Sequence, residues 1–426
     1  MTQVLKFKEL SFLIYGLGLS GQSVIKFFKK KRIKNFKVWD DKKRNLYKNL
    51  RAKNLKKALK EANYIVLAPG ITLKKNKYLK GYQRKIITDI DLYYLFYPKI
   101  KSIVVTGTNG KSTTCKLLEH LLKKNNFNCI VGGNIGTPIL SLKTQKKKFI
   151  IIEASSFQLS HSKFVSPDFA FFLNFSNDHL DWHGNLKNYF NSKLKIFRLQ
   201  NKSQFALVNK KFKKHYRVKK FFGKLIIPKM DNYKKIKSEI KNNDYVVSDI
   251  NDENMSFVYA FSKILKIRKK SFIHAMKSFK GLPHRFEIFL KRKNITFIND
   301  SKATSFRATQ VALNSLKNIY LIMGGLPKKN DKVYLNKYKR KIKKCYLIGK
   351  NISFFKNQIK KNIILVISKN LKNSVMQIFK DLQAEKDTNK YILLSPAAAS
   401  FDQFKNFENR GEEFKRLCKI YAKKYI

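Results

Sequence analysis

A glycine-rich segment between a β-branched run and an amphipathic stretch carries the strongest chemical signal in the sequence. It reads Thr106-Gly107-Thr108-Asn109-Gly110-Lys111-Ser112-Thr113, and a helix is predicted from Lys111 to Lys124. Glycines let the backbone wrap around phosphate oxygens at a helix N-terminus, where N–H groups converge. The Lys111 ammonium would reach the terminal phosphates, and the hydroxyl of Ser112 or Thr113 could hold Mg²⁺. The G-x-x-G-K-S spacing is shorter than that of the standard phosphate loop, and it predicts a mononucleotide site.

Polar residues follow two later predicted strands. Glu153 comes directly after the apolar run 149–152, and the segment 174–181, with Asp178 and His179, follows the run 169–173. The carboxyl ends of parallel strands meet at one sheet edge, so a carboxylate there, beside a phosphate loop, is a candidate metal ligand. For the second cluster, metal binding, substrate binding and an ordinary surface loop all stay open.

The N-terminal region has its own glycine pattern. Gly16-Leu17-Gly18-Leu19-Ser20-Gly21 lies between a predicted strand and a predicted helix, and Asp40 ends the next strand. This context is typical of a dinucleotide or pyrophosphate site, with the acid placed for a ribose hydroxyl. By itself the pattern would suggest a dehydrogenase, but no hydride-transfer motif accompanies it. Together with the downstream phosphate loop, it suggests a nucleotide-linked substrate that is joined to something else.

Short apolar runs alternate with helical stretches through most of the chain, which predicts an α/β fold with largely parallel strands. Three successive α/β series predict three domains, at residues 1–95, 96–281 and 282–426. The Lys- and Asn-rich segment 210–251 is weakly periodic and is predicted as loops with small elements. In the last domain, strands are predicted at 296–298, 320–323, 346–348, 363–366 and 392–394, and the final helix is predicted to begin near Ser400 or Phe401.

The composition is strongly basic. There are 92 Lys+Arg against 27 Asp+Glu, a formal net charge of +65, while 43% of residues are hydrophobic. Such charge invites a nucleic-acid partner, but lysines outnumber the arginines that suit bidentate phosphate and base contacts, and they are spread over every segment. We interpret most of the charge as background composition. No apolar run reaches the length of a membrane span, so none is expected. A cytoplasmic protein without a specific nucleic-acid partner is predicted.

The ordered set of motifs resembles the Mur ligase family over nearly the whole chain. The phosphate loop, the opening glycine pattern and Asp178-His179 fit the family. So do segments 132–136, 153–159, 281–287, 299–304, 394–404 and 407–414. The resemblance implies a Rossmann-like N-terminal domain, a central P-loop ATPase-like domain that binds the mononucleotide, and a Rossmann-like C-terminal domain.

The resemblance also implies a reaction, in which ATP drives the addition of D-glutamate to UDP-N-acetylmuramoyl-L-alanine through an acyl phosphate, in peptidoglycan precursor synthesis. A carboxylate that attacks ATP brings negative groups together, so cations must neutralise them. The implied cofactors are ATP, two Mg²⁺ ions and a lysine carbamylated by CO₂. The partners would be these small-molecule substrates, and the enzyme would act as a monomer.

Roles for individual residues follow from the resemblance alone. Catalysis would use Lys111, Glu153, His179 and Lys193. The metal ligands would be Ser112, Glu153, His179 and carbamylated Lys193. ATP would be held by the loop from Gly107 to Thr113 with Arg285 and Asp300. The UDP-linked substrate would contact Leu19, Ser20, Asp40, Thr72, Asn134 and His179. D-glutamate would contact Lys302, Thr304, Lys328, Ser400, Phe401 and Phe407.

Two departures from the family pattern leave questions open. Many relatives carry His-Asn and a second Asn three residues on, where this chain has Glu253-Asn254 and Phe257, so the adenine contact is in doubt. Pro327 could displace Lys328, with Lys329 as a substitute. The alternatives are another amide ligase of the superfamily (a later Mur ligase or a folylpolyglutamate synthetase-like enzyme), a nucleic-acid-binding ATPase and a binding-only remnant.

Overall fold

The computed structural model describes residues 7–98, 100–144, 148–241, 243–328, 331–359, 362–383 and 389–425. The chain forms two compact units, one of Met1–Glu239 with Glu253–Met276 and the other of Ile240–Asp252 with Lys277–Ile426. The first unit contains two β-sheets and the second contains one. Each sheet lies within one of the three domains predicted from the sequence, and the domain boundaries themselves stay a prediction.

The first sheet is parallel, with the strand order β2-β1-β3-β4. Its strands are β1 (Phe12–Tyr15), β2 (Phe36–Trp39), β3 (Tyr64–Leu67) and β4 (Ile86–Ile87), and its helices are α1 (Leu19–Lys30), α2 (Leu55–Glu61) and α3 (Asp89–Phe96). All four residues of β1 are buried, as expected for a strand covered on both faces. The glycine pattern therefore forms the turn from a central strand into α1.

The second sheet is also parallel, with the order β10-β9-β8-β5-β7-β6. Its strands are β5 (Lys101–Thr106), β6 (Cys129–Gly133), β7 (Phe149–Glu153), β8 (Phe169–Phe172), β9 (Phe205–Val208) and β10 (Lys224–Ile226). Its helices are α4 (Lys111–Lys124), α5 (Ser156–His161), α6 (Leu180–His183), α7 (Leu186–Leu194), α8 (Lys213–Val218), α9 (Met230–Lys237), α11 (Asp252–Ile264) and α12 (Lys269–Lys277). The short helix α10 (Asp244–Val247) belongs to the second unit. The segment predicted as loops contributes edge strand β10, which has no buried residue and so gives little apolar signal.

The third sheet has the order β11-β12-β16-β13-β14-β15, with β11 antiparallel to β12 and the other pairs parallel. Its strands are β11 (Glu287–Arg292), β12 (Ile295–Asn299), β13 (Ile319–Gly324), β14 (Ile342–Ile348), β15 (Leu365–Lys369) and β16 (Lys390–Leu394). Its helices are α13 (Phe306–Ser315), α14 (Ile352–Gln358), α15 (Leu371–Gln383) and α16 (Phe407–Tyr425).

Two predicted positions in this sheet were wrong. The last helix does not begin at Ser400 or Phe401 but at Phe407, because the side chain of Asn406 accepts the Asn409 N–H at 2.8 Å and so caps it. Strand β15 begins two residues later than predicted, at the partly exposed edge of the sheet, where burial does not fix the register. None of the helices in the described ranges has both the length and the apolar character that crossing a membrane requires.

Candidate functional site

The phosphate loop joins β5 to the N-terminus of α4, as the sequence predicts. Gly110 has φ of 78°, and a Cβ atom there would lie 2.2 Å from Oδ1 of Asn254. Both the positive φ and the missing space therefore require glycine. The first turn of a helix presents backbone N–H groups without intrahelical partners, and the helix dipole adds positive potential. The loop is thus built to receive an anion at the start of α4.

Two lysine side chains converge on the carbonyl oxygen of Gly107. Nζ of Lys111 donates to this oxygen at 3.0 Å and to the Thr108 carbonyl at 2.8 Å, and Nζ of Lys193 donates to the same Gly107 oxygen at 2.7 Å. Lys193 is only 1% exposed. Burial, and then the nearby positive charge of Lys111, hold the pKa of Lys193 well below its usual range. Two of the predicted catalytic residues are therefore neighbours, and one of them favours the uncharged amine.

Glu153 ends β7 beside the loop, since it pairs with Val105 of β5. One carboxylate oxygen accepts the Ser112 hydroxyl at 2.6 Å, and the other accepts the side-chain amide of Asn134 at 2.8 Å. Hydroxyl and carboxylate oxygens are ligands that suit Mg²⁺. Among the described residues, no group of three or more His, Cys, Asp or Glu could hold a metal ion. A magnesium ion here would complete its coordination with water and phosphate oxygens, which is its usual habit in nucleotide sites.

Tyr189, a residue that the sequence did not single out, connects the other predicted catalytic groups. Its ring lies 5.9 Å from that of His179, and Nζ of Lys193 is 4.6 Å from the ring centroid. Its hydroxyl is 3.1 Å from the Thr108 hydroxyl in the phosphate loop. The side chain is fully buried. His179 also packs on Phe157, so its position is set by aromatic contacts that no local motif reveals.

A groove of about 620 Å³ lies beside the N-terminal glycine turn. Four residues predicted for the UDP-linked substrate line it: Leu19, Ser20, Asp40 and Asn134. Two others do not: His179 and Thr72, whose hydroxyl instead donates to the Trp182 carbonyl at 3.4 Å. Gln158, Lys42 and Lys43 line the groove without having been predicted. The structure thus brings most of this set together at one surface.

Asp40 shapes that groove. Its carboxylate accepts the backbone N–H of Leu17 at 2.6 Å and those of Lys42 and Lys43 at 2.9 and 2.8 Å. Burial raises the pKa of Asp40, but these hydrogen bonds outweigh burial and lower it overall. The acid therefore ties the loop after β2 to the glycine turn and remains ionised beside the groove.

The position at which many relatives carry a second Asn lies in the core of this chain. Phe257 is 1% exposed, and its ring packs 6.0 Å from that of Phe171 in the core. The preceding Asn254 accepts the Thr114 hydroxyl at 3.3 Å.

In the second unit, Asp300 follows β12 and accepts two hydrogen bonds, from the Phe286 N–H at 3.1 Å and from the Ser395 hydroxyl at 2.8 Å. Lys302 lies 3.6 Å from the ring centroid of Phe407, and Thr304 donates its N–H to the Lys302 carbonyl. The structure thus groups these predicted residues. Of the rest, Ser400 is buried, and Phe401 and Lys328 are exposed. Lys329 lies outside the described residues.

Arg410 is a buried cation that the sequence did not single out. It is 1% exposed and donates to the Ser301 hydroxyl and carbonyl and to the Ala398 carbonyl, at 2.9 to 3.0 Å. Burial lowers the pKa of Arg410 to about 10. Because it bonds the segments that precede Lys302 and Ser400, it fixes the loops on which those residues lie.

Replacing Asp300 by Asn should change how stability depends on pH. Burial raises the pKa of Asp300 to about 7, so the folded state holds a proton that the unfolded state releases near pH 4. The stability of the wild-type unit should therefore fall as the pH rises from about 4 to 7, by up to about 4 kcal/mol. Protection of the β12 and β16 amides from hydrogen exchange, measured in the full chain, should fall less steeply with rising pH in Asp300→Asn than in the wild type. Equal slopes would contradict the assignment.

These features define a class of protein. A phosphate loop with two converging lysines, a Ser–Glu pair suited to magnesium and a second nucleotide-type groove are typical of an enzyme that uses a nucleoside triphosphate on a large substrate. The comparisons agree with this class. Residues 105–281 match the family model for the Mur ligase middle domain.

Curated relatives match almost the full length. The chain is 35% identical to the UDP-N-acetylmuramoylalanine--D-glutamate ligase of Rickettsia felis, over 96% of this chain and 97% of that protein. It is 34% identical to the enzyme of the same name from Buchnera aphidicola, over 96% and 97%. The chain belongs to the Mur ligase family, among the UDP-N-acetylmuramoylalanine--D-glutamate ligases.

Solved structures share the fold. The MurF ligase of Thermotoga maritima, in complex with ADP, aligns with a TM-score of 0.57 at 17% identity, over 87% of this chain and 91% of that one. The UDP-N-acetylmuramate-alanine ligase MurC of the same organism aligns with a TM-score of 0.55 at 15% identity, over 98% and 100%. The predicted α/β fold is thereby confirmed.

Proposed function

We propose that this chain joins D-glutamate to UDP-N-acetylmuramoyl-L-alanine at the expense of ATP, in peptidoglycan precursor synthesis. The observation that carries the proposal is the grouping of Lys111, Lys193, Ser112 and Glu153 around one phosphate loop. It occurs in a chain whose relatives, at 34–35% identity over nearly their full length, are named for this activity. The enzyme is also proposed to act as a monomer in the cytoplasm.

The proposed reaction has two steps. The alanyl carboxylate attacks the γ-phosphate, which forms an acyl phosphate and releases ADP. The amine of D-glutamate then attacks the acyl carbon, and the tetrahedral intermediate expels phosphate and loses a proton to give the amide. The first step brings anions together, and Lys111 and the N-terminus of α4 would stabilise the charge on the transferring phosphoryl group.

Magnesium fits the residues beside this loop. Ser112 and Glu153 would hold the ion, and Asn134 would orient the carboxylate through its amide hydrogen bond. When bound, the ion supplies positive charge to the phosphate oxygens. A second ion is proposed near His179 and Lys193.

Carbamylation of Lys193 would provide an anionic ligand for that second ion. Only an uncharged amine attacks CO₂, and the reaction gives a carbamate and a proton. The buried position beside Lys111, which lowers the pKa of Lys193, favours the uncharged amine. The carbamate would then place a negative charge next to the Lys111 ammonium.

The two other substrates have separate proposed sites. The groove lined by Leu19, Ser20, Asp40 and Asn134 would receive the UDP-linked substrate. Lys302, Thr304, Lys328, Ser400, Phe401 and Phe407 would bind D-glutamate, with Arg285 and Asp300 serving ATP. A dianionic amino acid needs cations and hydroxyl or backbone donors, and this set contains both.

The test is a release of phosphate that requires both substrates. Purified chain with ATP, Mg²⁺ and bicarbonate should release phosphate only when UDP-N-acetylmuramoyl-L-alanine and D-glutamate are both added. Parallel reactions with L-glutamate, diaminopimelate or a folate substrate would detect another ligase of the superfamily, and a reaction with single-stranded nucleic acid would detect a nucleic-acid-dependent ATPase. No release with the proposed pair would contradict the function.

A further inference from the structure

The phosphate loop is held from one side by Asn174, which follows β8. The backbone carbonyl of Asn174 accepts the Thr108 N–H at 3.0 Å, and its side-chain Oδ1 accepts the same N–H at 3.1 Å. Oδ1 also accepts the N–H of Asn109 at 2.9 Å. A single amide oxygen therefore fixes the middle of the loop, between Gly107 and Gly110. This arrangement works only while the oxygen of the Asn174 amide, and not its NH₂ group, faces the loop.

Glu253, at the start of α11, determines which way that amide faces. One carboxylate oxygen accepts the NH₂ group of Asn174 at 2.6 Å, and the other accepts the NH₂ group of Asn209 at 2.7 Å. The Asn209 amide is itself fixed, because its NH₂ group also donates to the Leu173 carbonyl at 2.9 Å and its oxygen accepts the Lys211 N–H at 3.1 Å. A carboxylate accepts hydrogen bonds and cannot donate them, so both asparagines must turn their NH₂ groups toward it.

We propose that Glu253 is a positioning residue of the nucleotide site, which acts through Asn174 to hold the phosphate loop in its anion-binding conformation. The inference rests on the proposed use of ATP at this loop. Glu253 acts on the loop only through Asn174. It fixes which groups donate and which accept in the hydrogen bonds that run from α11 through Asn174 to Thr108 and Asn109.

The residue type at position 253 indicates that Glu253 orients the two asparagines and does not merely fill space. Burial raises the pKa of Glu253, although the two amide donors and then the charge of Lys211 lower it, so the acid lies there at a cost in desolvation. Glutamine has nearly the same shape, but one of its two polar ends is an NH₂ group. Its oxygen would accept a hydrogen bond from one asparagine, but its NH₂ group would face the NH₂ group of the other. Only an acid satisfies both in their observed orientations.

The first test is Glu253→Gln in the full chain. We expect the Kd for ATP, measured by calorimetry with Mg²⁺ and without the other substrates, to rise about tenfold, the effect of losing one to two hydrogen bonds. The KM for ATP should rise in parallel, while the KM values for the other two substrates change less than about twofold. The exposed Glu61→Gln, which removes the same charge far from the loop, should leave all three values unchanged.

The decisive test reverses the polarity of the chain. Asn174→Asp alone places two acids against each other and should weaken ATP binding. Asn174→Asp combined with Glu253→Gln restores complementarity, because the amide introduced at position 253 can donate to the new acid while its oxygen accepts from Asn209. The double variant should bind ATP more tightly than either single variant.

Three outcomes separate the possible failures. Wild-type affinity for ATP in Glu253→Gln would overturn the inference, as would a double variant that binds ATP no more tightly than the tighter-binding of the two single variants. A wild-type chain that binds no ATP would instead overturn the proposed function. Thermal unfolding without nucleotide shows whether each variant folds. If Glu253→Gln does not fold, the comparison of Asn174→Asp with the double variant tests the inference.

Discussion

Replacing Lys193 by Met is expected to reduce amide-bond formation by about a thousandfold while leaving the folded chain at least as stable. Lys193 is 1% exposed, and its amine contacts the Gly107 carbonyl in the phosphate loop. Met nearly matches the side chain in volume, but it cannot form a carbamate and it carries no charge. Activity should therefore be lost without a cavity in the core. Steady-state ligation and thermal unfolding measure the two effects.

The gain in stability should depend on pH in a defined direction. In the folded state, burial and then the charge of Lys111 lower the pKa of Lys193, whereas the unfolded state protonates the amine below about pH 10.5. The contribution of Lys193 to the free energy of unfolding of the wild type therefore falls as the pH decreases from that value. The advantage of the Met variant should be large near pH 7 and should shrink as the pH rises toward 10.5. Stability curves that stay parallel across this range would contradict a buried, uncharged amine.

Two further variants isolate the carbamate. Lys193→Ala should regain part of its activity when a short carboxylic acid is added, because the acid can supply the missing anionic ligand. Lys187→Met removes an exposed lysine from the same helix, α7, and should behave as the wild type. Full activity in Lys193→Met would rule out carbamylation at this position as a requirement of the reaction.

Replacing Lys111 by Met should lower turnover by about a thousandfold and should also change the chemistry of Lys193. Lys111 is proposed to supply positive charge to the transferring phosphoryl group, and it donates hydrogen bonds to the carbonyls of Gly107 and Thr108. Its positive charge is the second cause, after burial, of the lowered pKa of Lys193. Without it, the Lys193 amine should be protonated more often and should react less with CO₂.

Carbon-13 NMR with labelled bicarbonate measures that coupling. The carbamate signal at a fixed pH should be weaker in Lys111→Met than in the wild type and should recover as the pH is raised. Lys124→Met, at the exposed far end of the same helix, should change neither the signal nor turnover. An unchanged carbamate signal in Lys111→Met would show that the two lysines are not coupled as their shared contact with Gly107 indicates.

Local features of the sequence were enough to predict much of the site. The phosphate loop is a continuous segment, and its glycines have a local reason, since Gly110 has a positive φ that other residues rarely adopt. Glu153 was placed at the loop because parallel strands end at a common edge, and it does pair with Val105 of β5. Asp40 follows β2 of the first sheet and Asn134 follows β6 of the second, and the structure brings both to one groove. The start of the last helix was missed because its capping residue, Asn406, lies after a run that is itself rich in apolar residues.

The tertiary structure decided the rest, because these contacts join residues far apart in the chain. Lys193 meets Gly107 across 86 positions, and Glu253 meets Asn174 across 79. Composition and periodicity do not distinguish them from the other lysines and acids; Lys193 was named only through the family resemblance, and Glu253 only as a departure from it. The sequence by itself determined the class of fold, the phosphate loop and the strand-end acid, since periodicity and glycine spacing are local properties. Only the folded chain made one lysine a buried amine and one glutamate a fixed acceptor, since burial and hydrogen-bond polarity depend on which distant groups surround them.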